Sequence, residues 1–92
     1  NACNGRQGME SAIATSALVA GQLGIAPEMV QVASTGVIGK PLDVSCFEQA
    51  VPDLVKGLSE DGFNDVSRAI MTTDTVPKTS FRQVDINSTK VS

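Results

Sequence analysis

The chain contains no histidine, tryptophan or tyrosine, and Phe47, Phe63 and Phe81 are its only aromatic residues. Without histidine, the usual zinc sites and the Ser/His and Cys/His nucleophile pairs cannot be assembled from these residues. Cys3 and Cys46 are the only cysteines, lie far apart and show no metal-ligand spacing, so they read as two reduced thiols rather than a disulfide framework. No metal is expected. Gly5-Arg6-Gln7-Gly8 lacks the spacing of either phosphate-binding loop, and no cofactor is expected either. No apolar run approaches the roughly 20 residues that a membrane span needs. The net charge of −3 excludes a strongly basic surface. Lys40, Lys56, Arg68, Lys78, Arg82 and Lys90 are scattered, with no basic stripe interleaved with aromatics, which argues against nucleic acid as a partner. Asn1-Ala2-Cys3-Asn4-Gly5 carries no initiator Met, charged n-region or apolar h-region, and is read as a cut inside a longer chain.

What is present is 92 residues of ordinary hydrophobicity (41%), enough for one small domain and too short for two. The scarcity of large rings leaves Ala, Val, Ile and Gly to fill the interior. Such a composition favours close approach of backbones and suits a piece of a larger assembly. A single partial domain over residues 1–92 is expected.

Hydrophobic periodicity predicts a helix from about Gln7 to Leu23, with Met9, Ala12, Ile13, Ala17, Ala20 and Leu23 on its buried face and Gly24 as its stop. Met29 to Ala33 reads as a short strand. Asp43 is an N-cap candidate for a helix carrying Phe47, Val51, Leu54, Val55 and Leu58, in which Pro52 predicts a kink or a fresh start. Gly57 to Gly62 is a loop, and Phe63, Val66, Ala69 and Ile70 mark a last short helix. Phe81 to Ile86 reads as a strand, followed by an Asn87-Ser88 turn and a partner strand starting near Lys90. The order α-β-α-α-β-β is mixed α/β without the strict alternation of a doubly wound sheet.

Two stretches suggest chemistry. In Ser34-Thr35-Gly36-Val37-Ile38-Gly39 two glycines bracket two β-branched residues directly after a strand. Gly-bounded turns of this kind commonly serve only chain reversal. The alternative is specific: a Thr hydroxyl and a Gly N–H side by side are two donors able to converge on one oxygen, as stabilising a tetrahedral acyl-transfer intermediate requires. Thr72-Thr73-Asp74-Thr75 reads either as a polar strand end in which Asp74 caps neighbouring N–H groups, or as hydroxyls that bind a polar ligand. Glu60-Asp61 is a solvated carboxylate pair, and Asn4-Gly5 a turn before a helix N-terminus.

In order along the chain, Asn1-Ala2-Cys3-Asn4-Gly5 with Gly8, Ser34 to Gly39, and Ala69-Ile70-Met71-Thr72-Thr73-Asp74-Thr75 with Pro77-Lys78 resemble one family. It is the bifunctional ornithine acetyltransferases, also called glutamate N-acetyltransferases, of the arginine pathway. The resemblance implies a precursor that cleaves itself once and exposes a Thr at the start of a β chain. That Thr attacks the acetyl group of N-acetylornithine, with its own α-amine as base, and glutamate resolves the acetyl-enzyme. The implied fold is an αββα-type layered sandwich of the N-terminal-nucleophile kind, of which this chain is an internal α-chain segment lacking the nucleophile. The family's oxyanion hole maps onto Thr35 (hydroxyl) and Gly36 (N–H), and its first motif Thr, a substrate contact, onto Thr72. The implied partners are the β chain, in an α2β2 assembly, and the substrates N-acetylornithine and glutamate, with acetyl-CoA a second possible donor. The implied location is the cytoplasm, or the mitochondrial matrix in a eukaryote. The sequence departs from the family where Asn4 replaces the usual Thr, where Pro41-Leu42-Asp43-Val44 replaces a Leu-Pro-Met run, and where no Trp stands near Phe63. Two other functions fit the same residues: a related self-processing aminopeptidase or amidase that passes the acyl group to water, and a non-catalytic module that binds an anionic ligand.

Overall fold

The computed structural model describes all 92 residues, Asn1–Ser92, as two compact units, Asn1–Glu60 and Asp61–Ser92. The composition of elements is mixed α/β, with three α-helices and one two-stranded antiparallel sheet.

The first unit is built on helix α1 (Gly5–Leu23), which packs against helix α2 (Val44–Lys56) and against a 3-10 turn at Pro27–Met29. Gly24 ends α1 as its sequence position suggested: its φ of 67° is left-handed, and its N–H closes the last turn onto the Ala20 carbonyl. The face that α1 buries matches the expected one at Ala12 and Ala20 but not at Met9, Ile13, Ala17 and Leu23. Met9 and Ile13 remain exposed (64% and 60%), whereas Thr15 and Ala20 are buried and Gly8, Ser11, Ala12 and Val19 are half-buried. The covered residues of α1 are mostly small, which suits its packing against α2. Thr15 tolerates burial because its hydroxyl donates back to the carbonyls of Ser11 (3.0 Å) and Ala12 (3.1 Å).

Helix α2 begins where Asp43 accepts a hydrogen bond from the Ser45 N–H at 3.0 Å and a second from the Ser45 hydroxyl at 2.6 Å. Pro52 lies inside α2 without ending it, because Val51 is buried (4% exposed) and packing outweighs the one intrahelical bond that proline cannot donate. The strand expected over Met29–Ala33 does not form. The chain leaves the 3-10 turn in an extended conformation at Val30 (φ −99°, ψ 114°) but pairs with no neighbour, and extended backbone without a ladder partner is not a strand.

In the second unit, helix α3 (Phe63–Ala69) is short, and its buried residue is Ser67. Strands β1 (Val84–Ile86) and β2 (Thr89–Val91) pair in the register Val84↔Val91, Asp85↔Lys90 and Ile86↔Thr89. Asn87 (φ 49°) and Ser88 (φ 66°) are both left-handed, which is the two-residue hairpin turn whose twist matches the strands. The strand starts at Val84 rather than Phe81, so the paired part is half the length that alternation implied.

Candidate active site

The two sequence stretches nearest the start of α1 and just before α2 meet in space. Segment 1–4 lies along the turn Ser34–Lys40 and holds it at both ends. The backbone nitrogen of Asn1 donates to the Ser34 carbonyl at 2.8 Å and lies 3.3 Å from the Ser34 hydroxyl. The Gly39 N–H donates to the Ala2 carbonyl at 2.9 Å. The carboxamide nitrogens of Asn1 (3.2 Å) and Asn4 (3.0 Å) both donate to one acceptor, the carbonyl of Lys40. Within the turn, the Lys40 N–H returns to the Val37 carbonyl at 3.2 Å. Gly39 sits at φ 78°, the left-handed geometry that makes glycine the default there.

Gly36 is a glycine for a different reason. A Cβ on it would lie 2.8 Å from Asn1 Nδ2, 3.0 Å from Oδ1 and 3.1 Å from Cγ, inside contact distance of all three. The Asn1 carboxamide therefore lies close against the Gly36 backbone, and a side chain at that position would require Asn1 to shift. Thr35 and Gly36, the two expected donors, are exposed, and neither the Thr35 hydroxyl nor the Gly36 N–H is used in a hydrogen bond within the chain. Both groups are thus free of partners within the chain.

Positioning them carries a conformational cost. Cys3 adopts φ 62°, a left-handed conformation that costs a non-glycine residue about 1–2 kcal/mol. This bend lets Asn1 and Ala2 reach the turn while Asn4 leads into α1. Asn4 makes no cap to the helix with its side chain, whose Nδ2 faces Lys40 instead, and its Oδ1 is buried without a partner. Beside the turn, α1 and the extended segment Val30–Ser34 enclose a groove of about 330 Å³ whose lining includes Asn4, Ser11, Thr15, Gln31, Ser34 and Phe47.

Thr72 lies in the second unit, exposed, in a stretch of bends. Asp74 accepts from the Thr72 N–H at 3.4 Å and pairs with the Lys78 ammonium, which also donates to the Val76 carbonyl at 3.1 Å. The Lys78 hydrogen bond, helped by the Thr72 N–H and the lysine charge, holds the Asp74 carboxyl below the usual aspartate range. Asp74 thus caps its own loop as read from sequence, although the stretch forms bends and not the expected strand end, and the Thr72 hydroxyl is free of any bond within the chain. What sequence reasoning missed is the role of Asn1 and Asn4. Their partners lie more than thirty residues away, and the only local hint was the two carboxamides themselves.

The sequence profile of the ArgJ family matches residues 1–92. Curated relatives include the arginine biosynthesis bifunctional protein ArgJ of Desulfotalea psychrophila, 48% identical over 91 residues, covering 99% of this chain and 23% of that protein. The protein of the same name from Thermosynechococcus vestitus is 51% identical over 78 residues, covering 85% of this chain and 19% of its own. A form named mitochondrial, from Heterostelium pallidum, is 43% identical over 91 residues, covering 99% of this chain and 21% of its own. The chain belongs to the ArgJ family. It spans about a fifth of the length of these relatives. No solved structure matches it.

Proposed function

We propose that this chain is an internal α-chain segment, part of one domain, of an acetyltransferase that moves an acetyl group from N-acetylornithine to glutamate in arginine biosynthesis. In this reading the Thr35 hydroxyl and the Gly36 N–H form the oxyanion hole, and Thr72 contacts substrate. The attacking group is the N-terminal Thr of a β chain cut from the same precursor, the two chains assembling as α2β2. The Thr hydroxyl adds to the acetyl carbonyl while its α-amine takes the proton. The carbonyl oxygen gains negative charge against the two donors, and the C–N bond to ornithine breaks with proton return to the leaving amine. Glutamate's amine, losing a proton to the Thr α-amine, then adds to the acetyl-enzyme carbonyl through the same oxyanion, and the ester C–O bond breaks with that proton returned to the Thr hydroxyl. Acetyl-CoA is a second donor of the same chemistry.

The observation that carries the reading is the adjacent pair Thr35 and Gly36, exposed residues whose hydroxyl and N–H have no partner within the chain, in a turn held by segment 1–4. Membership of the ArgJ family, whose relatives are named for arginine biosynthesis, supports the same direction. So does the wide exposure of large apolar side chains, Phe63 (78%) and Phe81 (68%) among them, surfaces suited to cover by further polypeptide. No helix is long and apolar enough to cross a membrane. We place the enzyme in the cytoplasm or, in a eukaryote, the mitochondrial matrix. The test is to incubate the complete enzyme with N-acetylornithine, with and without glutamate. N-acetylglutamate forming with release of ornithine is the expected result. Acetate released at the same rate regardless of glutamate would make the protein an amidase, and no turnover would make it a binding module.

A further inference from the structure

We infer that Asn1 and Asn4 are positioning residues for acyl transfer, a paired carboxamide clamp that fixes where the Thr35–Gly36 donors point. The inference rests on the oxyanion reading of that turn. Four observations support it. Both carboxamides donate to the same Lys40 carbonyl, at 3.2 and 3.0 Å, from opposite ends of segment 1–4. The Asn1 carboxamide also lies against the Gly36 backbone, close enough that a Cβ there would have to displace it. The Asn1 backbone nitrogen binds the Ser34 carbonyl, one residue before Thr35, so a single residue touches the turn before, at and after the donor pair. Finally, Asn4 keeps its Nδ2 on Lys40 although its Oδ1 is then buried without a partner and α1 goes without a side-chain cap. A residue serving the helix would cap it, as asparagine readily does at this position. The orientation found serves the turn instead.

The clamp acts through Thr35 and Gly36 and touches no reacting atom. Its loss therefore lowers the rate of acetylation and of deacetylation, which share one oxyanion, without weakening substrate binding. Asn1→Asp and Asn4→Asp are isosteric and exchange each donor on Lys40 for an acceptor. In the complete enzyme, with active sites counted by the burst of ornithine, each variant is expected to lower kcat about tenfold with KM for N-acetylornithine within about twofold. The double variant is expected to lose less than the product of the two, since both donors serve one carbonyl. A merely structural role would reduce the number of active sites and leave kcat per site unchanged, which would overturn the inference. So would a rise in KM at constant kcat. Should Asn1→Asp fail to fold, Asn4→Asp alone decides on the same criteria. Thr35→Ala is the reference: if it too leaves kcat unchanged, the oxyanion reading fails. If Thr35→Ala is impaired and the asparagine variants are not, only the clamp fails.

Discussion

Gly36→Ala separates close approach from backbone strain at the turn. The new methyl would lie 2.8 Å from Asn1 Nδ2. Unstrained contact between such atoms is about 3.5 Å, so the overlap is about 0.7 Å. Gly36 does not occupy the left-handed region, so the substitution adds no penalty of φ. Relief comes either from Asn1 swinging off the Lys40 carbonyl or from the Gly36 N–H backing away by a similar distance. A donor displaced by about 1 Å costs on the order of a hundredfold in rate, so a shift of this size is expected to lower kcat by roughly ten- to a hundredfold. The assay is steady-state acetyl transfer by the complete enzyme, with a thermal melt in parallel. Gly39→Ala is the contrast. Its methyl meets nothing within 4 Å, but φ 78° penalises it, so it should cost stability, by about 1 kcal/mol, more than rate. A Gly36→Ala enzyme with unchanged kcat would refute the close contact between Asn1 and Gly36.

Two other predictions concern the first unit's helices. Gly24→Ala should lower stability by about 1 kcal/mol through its left-handed φ alone, since the site is otherwise open, and Gly24→Asn by less; chemical denaturation measures both. The Asp43 carboxyl is held below the usual aspartate range by the Ser45 hydroxyl and N–H. A depressed carboxylate contributes stability above its unfolded pKa and loses it as pH falls through the folded one. The start of α2 should therefore weaken on acidification below about pH 4. Asp43→Asn keeps the acceptor without the titration, so its denaturation midpoint should change less over that range; an equal change in both would contradict the assignment.

Much of the architecture was legible because it is set by local chemistry. Gly24 stops α1, Asp43 starts α2 and Asn87-Ser88 reverses the hairpin, each through a conformation or hydrogen bond within a few residues. The misreadings concern what lies across space. Periodicity placed Met9, Ala12, Ile13, Ala17, Ala20 and Leu23 on the buried face of α1; Ala20 and Ala12 are covered, Met9 and Ile13 stay exposed, and the burial of Thr15 was not anticipated. The β-prone run at Val30 found no strand to pair with. In the site, the Thr35–Gly36 pair could be singled out by residue type. That Gly36 is required by Asn1, and Asn4 oriented by Lys40, could not, because those contacts join residues more than thirty positions apart.

The oxyanion assignment of Thr35 and Gly36 is tested most directly by Thr35→Ala in the complete enzyme. The side chain is exposed and makes no hydrogen bond within the chain, so folding should be little affected. Removing one oxyanion donor costs about 3 kcal/mol of transition-state stabilisation, which predicts a fall in kcat for acetyl transfer of roughly a hundredfold or more at nearly constant KM. An unchanged kcat in a folded, self-processed Thr35→Ala enzyme would contradict the account.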